Sequence, residues 1–136
     1  MQITLEADYA IRIVLYLASA GIKKDAKTIS ETTGVSLRFS LKILRNLVGA
    51  GLVKSFKGVH GGYILAKPTD KISLKEIIEA TAGPYLFSRC LNDDFVCSSE
   101  NSFECGCRHV FNEISDLVNN KLASTTVAML FCKEPK

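Results

Sequence analysis

Ser36-Leu37-Arg38-Phe39-Ser40-Leu41-Lys42-Ile43-Leu44-Arg45-Asn46-Leu47 is followed, after Gly51, by Leu52-Val53-Lys54-Ser55-Phe56-Lys57-Gly58-Val59-His60-Gly61-Gly62-Tyr63-Ile64-Leu65-Ala66. Ser36 suits a helix N-cap, and the apolar positions Leu37, Leu41, Ile43, Leu44 and Leu47 carry the helix to a stop at Gly51. Leu52–Lys57 then reads as a strand, Gly58–Gly62 as a flexible tip and Tyr63–Ala66 as the return strand, with glycine supplying the positive φ that a tight hairpin needs. Just upstream, Asp25 can cap a short helix over Ala26–Thr33 that Gly34 ends, so two helices meet across Gly34-Val35-Ser36. Ile29, Val35, Ile43, Leu44 and Leu47 would hold that pair together, which is the pattern of a helix-turn-helix.

This arrangement leaves Ser36, Arg38, Ser40, Lys42 and Arg45 for the outer face of the second helix, short polar and basic groups suited to base edges and phosphates. A helical hairpin with a solvated basic face shows the same pattern. The glycine-rich hairpin that follows points further, to a wing. There Gly61 and Gly62 would let the backbone approach a duplex closely, and Lys57 and His60 could reach phosphates or a minor groove. The expected architecture is mainly α with a small β-hairpin wing: a winged helix-turn-helix plus a long C-terminal helix.

Charge supports a polyanion partner. The 136 residues carry a net charge of +3, divided unevenly, with 12 Lys/Arg against 7 Asp/Glu in residues 1–82 and 5 against 7 in residues 83–136. No acidic residue stands between Thr32 and Thr69, whereas Arg38, Lys42, Arg45, Lys54, Lys57 and Lys67 do. With 47% apolar residues a core needs no covalent staples. No apolar run reaches the length of a membrane span, and Met1–Glu6 lacks the basic-then-apolar order of a secretory leader, so a cytoplasmic protein without membrane contact is expected.

Outside this unit, Tyr9–Ala20 is apolar almost all round and reads as a buried helix stopped by Gly21. Ser73-Leu74-Lys75-Glu76 is a capping box for a helix that ends at Gly83-Pro84. Val110, Phe111, Ile114, Leu117, Val118 and Leu122 form one stripe on a further helix, opposite Asn112, Glu113, Asp116, Asn119 and Asn120. The stripe can pack on its own domain, on the same helix of a second subunit, or on both. Ser124-Thr125-Thr126 restarts a short helix with Val127, Met129, Leu130 and Phe131. The expected division is a DNA-binding domain at 1–82, a cysteine-rich segment at 83–107 and a dimerisation helix with a closing segment at 108–136.

Met1-Gln2-Ile3-Thr4, Asp8-Tyr9-Ala10-Ile11-Arg12, the run Lys42-Ile43-Leu44 through Ala50-Gly51-Leu52-Val53-Lys54-Ser55, and above all Lys57-Gly58-Val59-His60-Gly61-Gly62-Tyr63-Ile64-Leu65-Ala66-Lys67-Pro68 resemble the Rrf2 family of winged-helix transcription regulators. Ile72–Ala80, Gly83-Pro84 and Ser124-Thr125-Thr126-Val127 continue the likeness over nearly the whole chain. The resemblance implies a homodimer on operator DNA, with the third helix in a major groove, the wing at a minor groove and the long C-terminal helix as dimer axis. It also implies regulation rather than catalysis. Three departures bear on the operator: Lys57 stands where arginine is usual, Ser40 where an apolar residue is common, and Leu41 where at least one relative has an acidic residue.

Five cysteines do not suit a disulfide scaffold, and Cys90, Cys97, Cys105 and Cys107 cluster as metal or redox thiols do. No Cys-x-x-Cys opens a helix and no matching base is visible, which argues against a thiol oxidoreductase. The gaps are also too wide, or at Cys105-Gly106-Cys107 too tight, for the close cysteine pairs of structural zinc. Many members of the resembled family hold a 2Fe-2S or 4Fe-4S cluster on three cysteines of this segment, and others lack them. By order and approximate spacing Cys90, Cys97 and Cys105 match, and thiolate is the soft donor such clusters take. The fourth ligand is open: Cys107, His109 (one position beyond the histidine of one branch), Asp8 (the place of a partner-subunit carboxylate in another, otherwise a helix cap), or a small molecule. The expected function is an operator-binding regulator whose cluster senses redox state, nitric oxide or iron status. The alternative is a cluster-free regulator controlled by thiol oxidation, zinc, a metabolite or a partner protein. Cys132 reads as a thiol outside the site.

Overall fold

Thr4 begins the first helix, α1 (Leu5–Ala20), earlier than the apolar run at Tyr9 suggests: its Oγ1 accepts from the backbone N–H of Ala7 at 3.1 Å. Ala7 and Ala10 are small enough to be buried completely on the first turns, and Glu6 and Asp8 sit at the positive end of the helix dipole. Asp8 is therefore not the cap. It lies inside the helix and pairs with Arg12 at 3.0 Å. The computed structural model describes residues 2–98 and 105–131.

α2 (Ala26–Thr33) and α3 (Leu37–Gly49) follow with the expected caps: the Asp25 carboxylate accepts from Thr28 N–H at 2.7 Å, and the Ser36 hydroxyl from Phe39 N–H at 3.2 Å. The hydrogen bond from the Thr28 backbone holds the Asp25 carboxyl below its ordinary range. Gly21 and Gly34, both with positive φ, end the first two helices as left-handed caps. β1 (Val53–Phe56) and β2 (Gly62–Leu65) pair antiparallel, with Val53 opposite Leu65 and Phe56 opposite Gly62. Lys24, in the link between α1 and α2, adds a one-residue third strand on the other edge of β2: its N–H donates to Tyr63 O at 3.0 Å and its carbonyl accepts from Tyr63 N–H at 2.8 Å. That pairing involves backbone only and left no trace in the side-chain pattern.

The core lies among α1, α2, α3, the base of the hairpin and α4 (Leu74–Ala82). Ile13, Leu17, Ile29, Val35, Ile43, Leu44, Leu47, Leu52, Ile72 and Ile77 are its fully buried side chains of largest size, joined by Val14 and Val127. Val127 belongs to α6 (Val127–Phe131), which returns to the winged domain: Val127 N–H donates to Ile72 O at 2.9 Å and Leu74 N–H to Thr125 O at 2.9 Å. Between α4 and α6 runs α5 (Gly106–Ser124), which begins within the segment expected to be a loop and takes in Cys107. Short 3-10 turns occupy Thr69–Lys71 and Arg89–Leu91. Among the described residues no helix is long and apolar enough to cross a membrane.

The capping box of α4 is fully formed. Ser73 Oγ accepts from Glu76 N–H at 3.2 Å, the Glu76 carboxylate accepts from Ser73 N–H at 2.9 Å, and Lys67 Nζ reaches the other carboxylate oxygen at 2.7 Å. Partial burial pushes the Glu76 carboxyl up, but the Lys67 hydrogen bond, the Ser73 N–H and the Lys67 charge outweigh it, so the group titrates below its ordinary value of 4.5. The stabilisation by ionised Glu76 is therefore complete above that value and is lost as pH falls through the lower folded value. Ser73→Ala should cost about 1 kcal/mol in urea unfolding at neutral pH. Glu76→Gln should flatten the acid limb of the stability profile, and an unchanged limb would show that the network contributes nothing.

Candidate nucleic-acid interface and cysteine segment

One face of α3 is buried and therefore selects what the other face shows. Ser40, Ile43, Leu44 and Leu47 are fully buried. Ser40 was expected on the outer face; instead its hydroxyl donates to Val35 O at 3.3 Å, and the Ser30 hydroxyl donates to the same carbonyl. Two hydroxyls thus tie off the turn between α2 and α3, and Ser40 occupies a place an apolar side chain could also fill. Ser36, Arg38, Lys42 and Arg45 do lie on the exposed face, together with Leu37, Phe39 and Leu41. Leu37, Arg38, Phe39, Leu41, Lys42 and Arg45 line one shallow groove along the helix. Phe39 is held edge-on by Tyr9 of α1, with ring centroids 6.0 Å apart, and Lys42 Nζ pairs with Glu6 at 2.8 Å. Among the described residues Arg38, Arg45, Lys54 and Lys57 form no ion pair.

At the hairpin tip Lys57, Val59 and His60 are exposed, and Gly61 N–H closes the turn onto Gly58 O at 2.9 Å. The two glycines expected to admit a duplex are required by the protein itself. A Cβ on Gly61 would collide with the Phe56 carbonyl across the turn, and one on Gly62 would lie 2.9 Å from the Lys24 carbonyl. Gly62 is buried at φ +152, where the backbone of Lys24 crosses it.

The cysteine segment is anchored to α5 by residues whose role the sequence pattern does not reveal. Ser115 Oγ accepts from Phe87 N–H at 2.8 Å, and Asn119 Nδ2 donates to Tyr85 O at 3.2 Å. Ser115 and Asn119 stand one turn apart on the same side of α5, so they grip the Phe87 N–H and the Tyr85 carbonyl of one short segment. Asn119, expected toward solvent, is half-buried for this reason. Phe87 meets Phe111 with centroids 5.1 Å apart, and Arg89 lies over the Phe95 ring at 5.5 Å. The signal for such anchors is weak: Ser115 is a small polar residue beside the apolar stripe, and Asn119 is one polar residue among several.

The candidate ligands do not form one site. Cys90 is half-buried with its Sγ 3.2 Å from Ser88 Oγ, Cys97, Cys105 and Cys107 are exposed, and Cys105 stands at the N-cap of α5. His109 pairs with Glu113 at 3.1 Å, and Asp8 with Arg12. Among the described residues no three of the His, Cys, Asp and Glu side chains are grouped to hold a metal ion. The donors suit an iron–sulfur cluster by chemistry, since thiolates are soft, but not by placement here. Cys132 lies outside the described residues.

The family described as "Rrf2: Iron-dependent Transcriptional regulator" matches residues 3–133. Over 129 residues the chain is 30% identical to the HTH-type transcriptional regulator CymR of Bacillus subtilis, covering 93% of this chain and 87% of that protein. It is 34% identical over 91 residues to protein aau3 of Rhizobium meliloti, covering 66% of this chain and spanning only 59% of that relative's length. Among solved structures, CymR, the global cysteine regulator of B. subtilis, superimposes with a TM-score of 0.77 at 30% identity, covering 96% of this chain and 95% of that one. IscR of T. potens superimposes with a TM-score of 0.74 over 96% of this chain and 86% of that one; at 23% identity that likeness concerns the fold alone.

The close approach at Gly62 makes a direct prediction. Gly62→Ala should destabilise the protein by about 1–3 kcal/mol, because the added methyl must displace backbone rather than a flexible side chain. Thermal unfolding of the variant reads this directly, and an unshifted midpoint would contradict the packing of Lys24 against β2.

Proposed function

The chain belongs to the Rrf2 family of transcriptional regulators, and on that premise we propose that it is a dimeric, operator-binding regulator controlled through the thiols of residues 90–107 without a bound cluster. The observation that carries DNA binding is the solvent-facing basic surface of α3 and the hairpin tip: Arg38, Lys42, Arg45 and Lys57, on a stretch free of acidic residues from Thr32 to Thr69. α3 enters a major groove with Ser36, Arg38, Lys42 and Arg45 toward bases and phosphates, while Lys57 and His60 meet the neighbouring backbone or minor groove. Ser40, Gly61 and Gly62 act indirectly, by fixing the turn before α3 and the shape of the hairpin. Lys57→Ala should weaken binding to every duplex and make the salt dependence shallower by about one unit of slope. Equal affinity of variant and parent across a salt series would remove the wing from the interface.

Dimerisation rests on α5. Phe111, Ile114, Val118 and Leu122 are half-buried against their own subunit, yet Val110 and Leu117, seven positions apart on one face, remain 48% and 70% exposed. A second copy of α5 would cover them. Leu117→Glu should put an unpaired charge into that contact and shift sedimentation from dimer to monomer. A parent protein that is monomeric at micromolar concentration would contradict the assembly.

Thiol control is favoured by the exposure of Cys105 and Cys107 at the start of α5 and by the likeness, over nearly the full chain, to a protein named a cysteine regulator. Hydrogen peroxide converts two such thiols to one disulfide and is itself reduced to two waters, by way of a sulfenic acid. The second reading, a 2Fe-2S or 4Fe-4S cluster on Cys90, Cys97 and Cys105, is favoured by the words "iron-dependent" in the description of the matched family and by the soft donor set. Protein purified without oxygen separates the two. Thiol control predicts colourless protein without stoichiometric iron and sulfide, whose DNA affinity changes with peroxide and recovers with dithiothreitol. A visible cluster band with bound iron and sulfide, lost on replacing Cys90, Cys97 or Cys105, would establish the second reading instead.

A further inference from the structure

The exposed face of α3 is not simply polar. Leu37 is 47% exposed and Leu41 40% exposed, four positions apart and so on one side of the helix, in its first two turns. Neither is among the fully buried side chains of the core, whereas the opposite side of α3 is sealed by Ile43, Leu44 and Leu47. Cations flank the leucines: Arg38 beside Leu37, Lys42 beside Leu41, and Arg45 one turn beyond Leu41. Phe39, the other exposed apolar residue here, is already engaged by the Tyr9 ring.

Resting on the reading of α3 as the major-groove helix, we propose that Leu37 and Leu41 read thymine, each packing on a thymine C5-methyl group in the operator half-site. Charge decides the class of occupant. An apolar protein surface gains nothing from the cations Arg38 and Arg45, which form no ion pair among the described residues, whereas a duplex offers phosphates to both, and to Lys42 in exchange for Glu6. In that floor the thymine methyl is the one apolar group presented by an unmodified base pair, and residues near the N-terminus of a recognition helix are those that reach base edges. The leucines then supply shape recognition where Ser40, turned into the core, cannot supply a hydrogen bond. Arg38 and Arg45 position the helix on the backbone, and specificity at the leucine positions comes from van der Waals contact and water exclusion.

The test can begin without a defined operator. A duplex is selected from a random pool with the full-length dimer, its protected half-site is mapped, and each thymine in it is replaced singly by deoxyuridine, which lacks the methyl and keeps the Watson–Crick edge. Loss of affinity by about fourfold is expected at one or more thymines, the factor that burial of a single methyl corresponds to. In Leu37→Ala or Leu41→Ala the same replacement should no longer matter, because the methyl then has no partner. Both leucines are substantially exposed, so circular dichroism and the salt slope on random duplex should match the parent. If deoxyuridine is neutral at every position, or its penalty persists in both variants, the inference is overturned while DNA binding by α3 and the wing stands. If the pool yields no enriched sequence although binding remains salt-dependent, sequence reading by these leucines is likewise excluded. A parent protein that binds no duplex at any salt concentration overturns both this inference and the reading beneath it.

Discussion

The burial of one side of α3 is the constraint on which the rest of the molecule depends. Ile43, Leu44 and Leu47 are held at zero exposure against the core, and Ser40 completes the same side one turn earlier. Each of these apolar side chains contributes about 1.5–3 kcal/mol by leaving water. Rotating the helix to present any other side would therefore forfeit several of those contributions at once. The basic and apolar groups on the outer side have no freedom to be elsewhere. Their value to function follows from packing done by their neighbours.

Much of this was legible in the sequence because its signals are local. Asp25, Ser36 and the Ser73–Glu76 pair mark helix starts through hydrogen bonds from N–H groups three residues on, and Gly21, Gly34 and Gly83 mark helix ends. The hairpin itself follows from its two apolar strands and glycine-rich tip, though its return strand begins one residue earlier, at Gly62. What the sequence did not disclose is non-local or backbone-borne. The pairing of Lys24 with Tyr63 uses no side chain. The early start of α1 rests on two alanines and the Thr4 cap, none of which adds to an apolar stripe.

The candidate sites divide along the same line. Charge along α3 and the wing is a property of composition and could be read directly. The side of the helix to which Ser40 belongs could not, since serine is at home both in solvent and, with an acceptor such as Val35 O, in a core. At the tip, the backbones of Phe56 and Lys24 approach Gly61 and Gly62 closely, a contact that the hairpin's sequence does not announce. Ser115 and Asn119 show how a polar residue on an amphipathic helix can serve as an anchor for a distant stretch of main chain. For the cysteines, spacing conveys donor chemistry but not convergence. Convergence depends on the path of the chain between them.

The return of the chain after α5 has a mechanical meaning. Ser115 and Asn119 fasten α5 to the segment just beyond α4, while the hydrogen bonds from Leu74 to Thr125 and from Val127 to Ile72 fasten the chain beyond α5 to the start of α4. α4 and α5 therefore form a buckled strap, joined at both ends by non-covalent clasps as well as by the polypeptide. Such a strap cannot swing from one end like a lever. Moving α5 away from α4 would have to break both sets of hydrogen bonds.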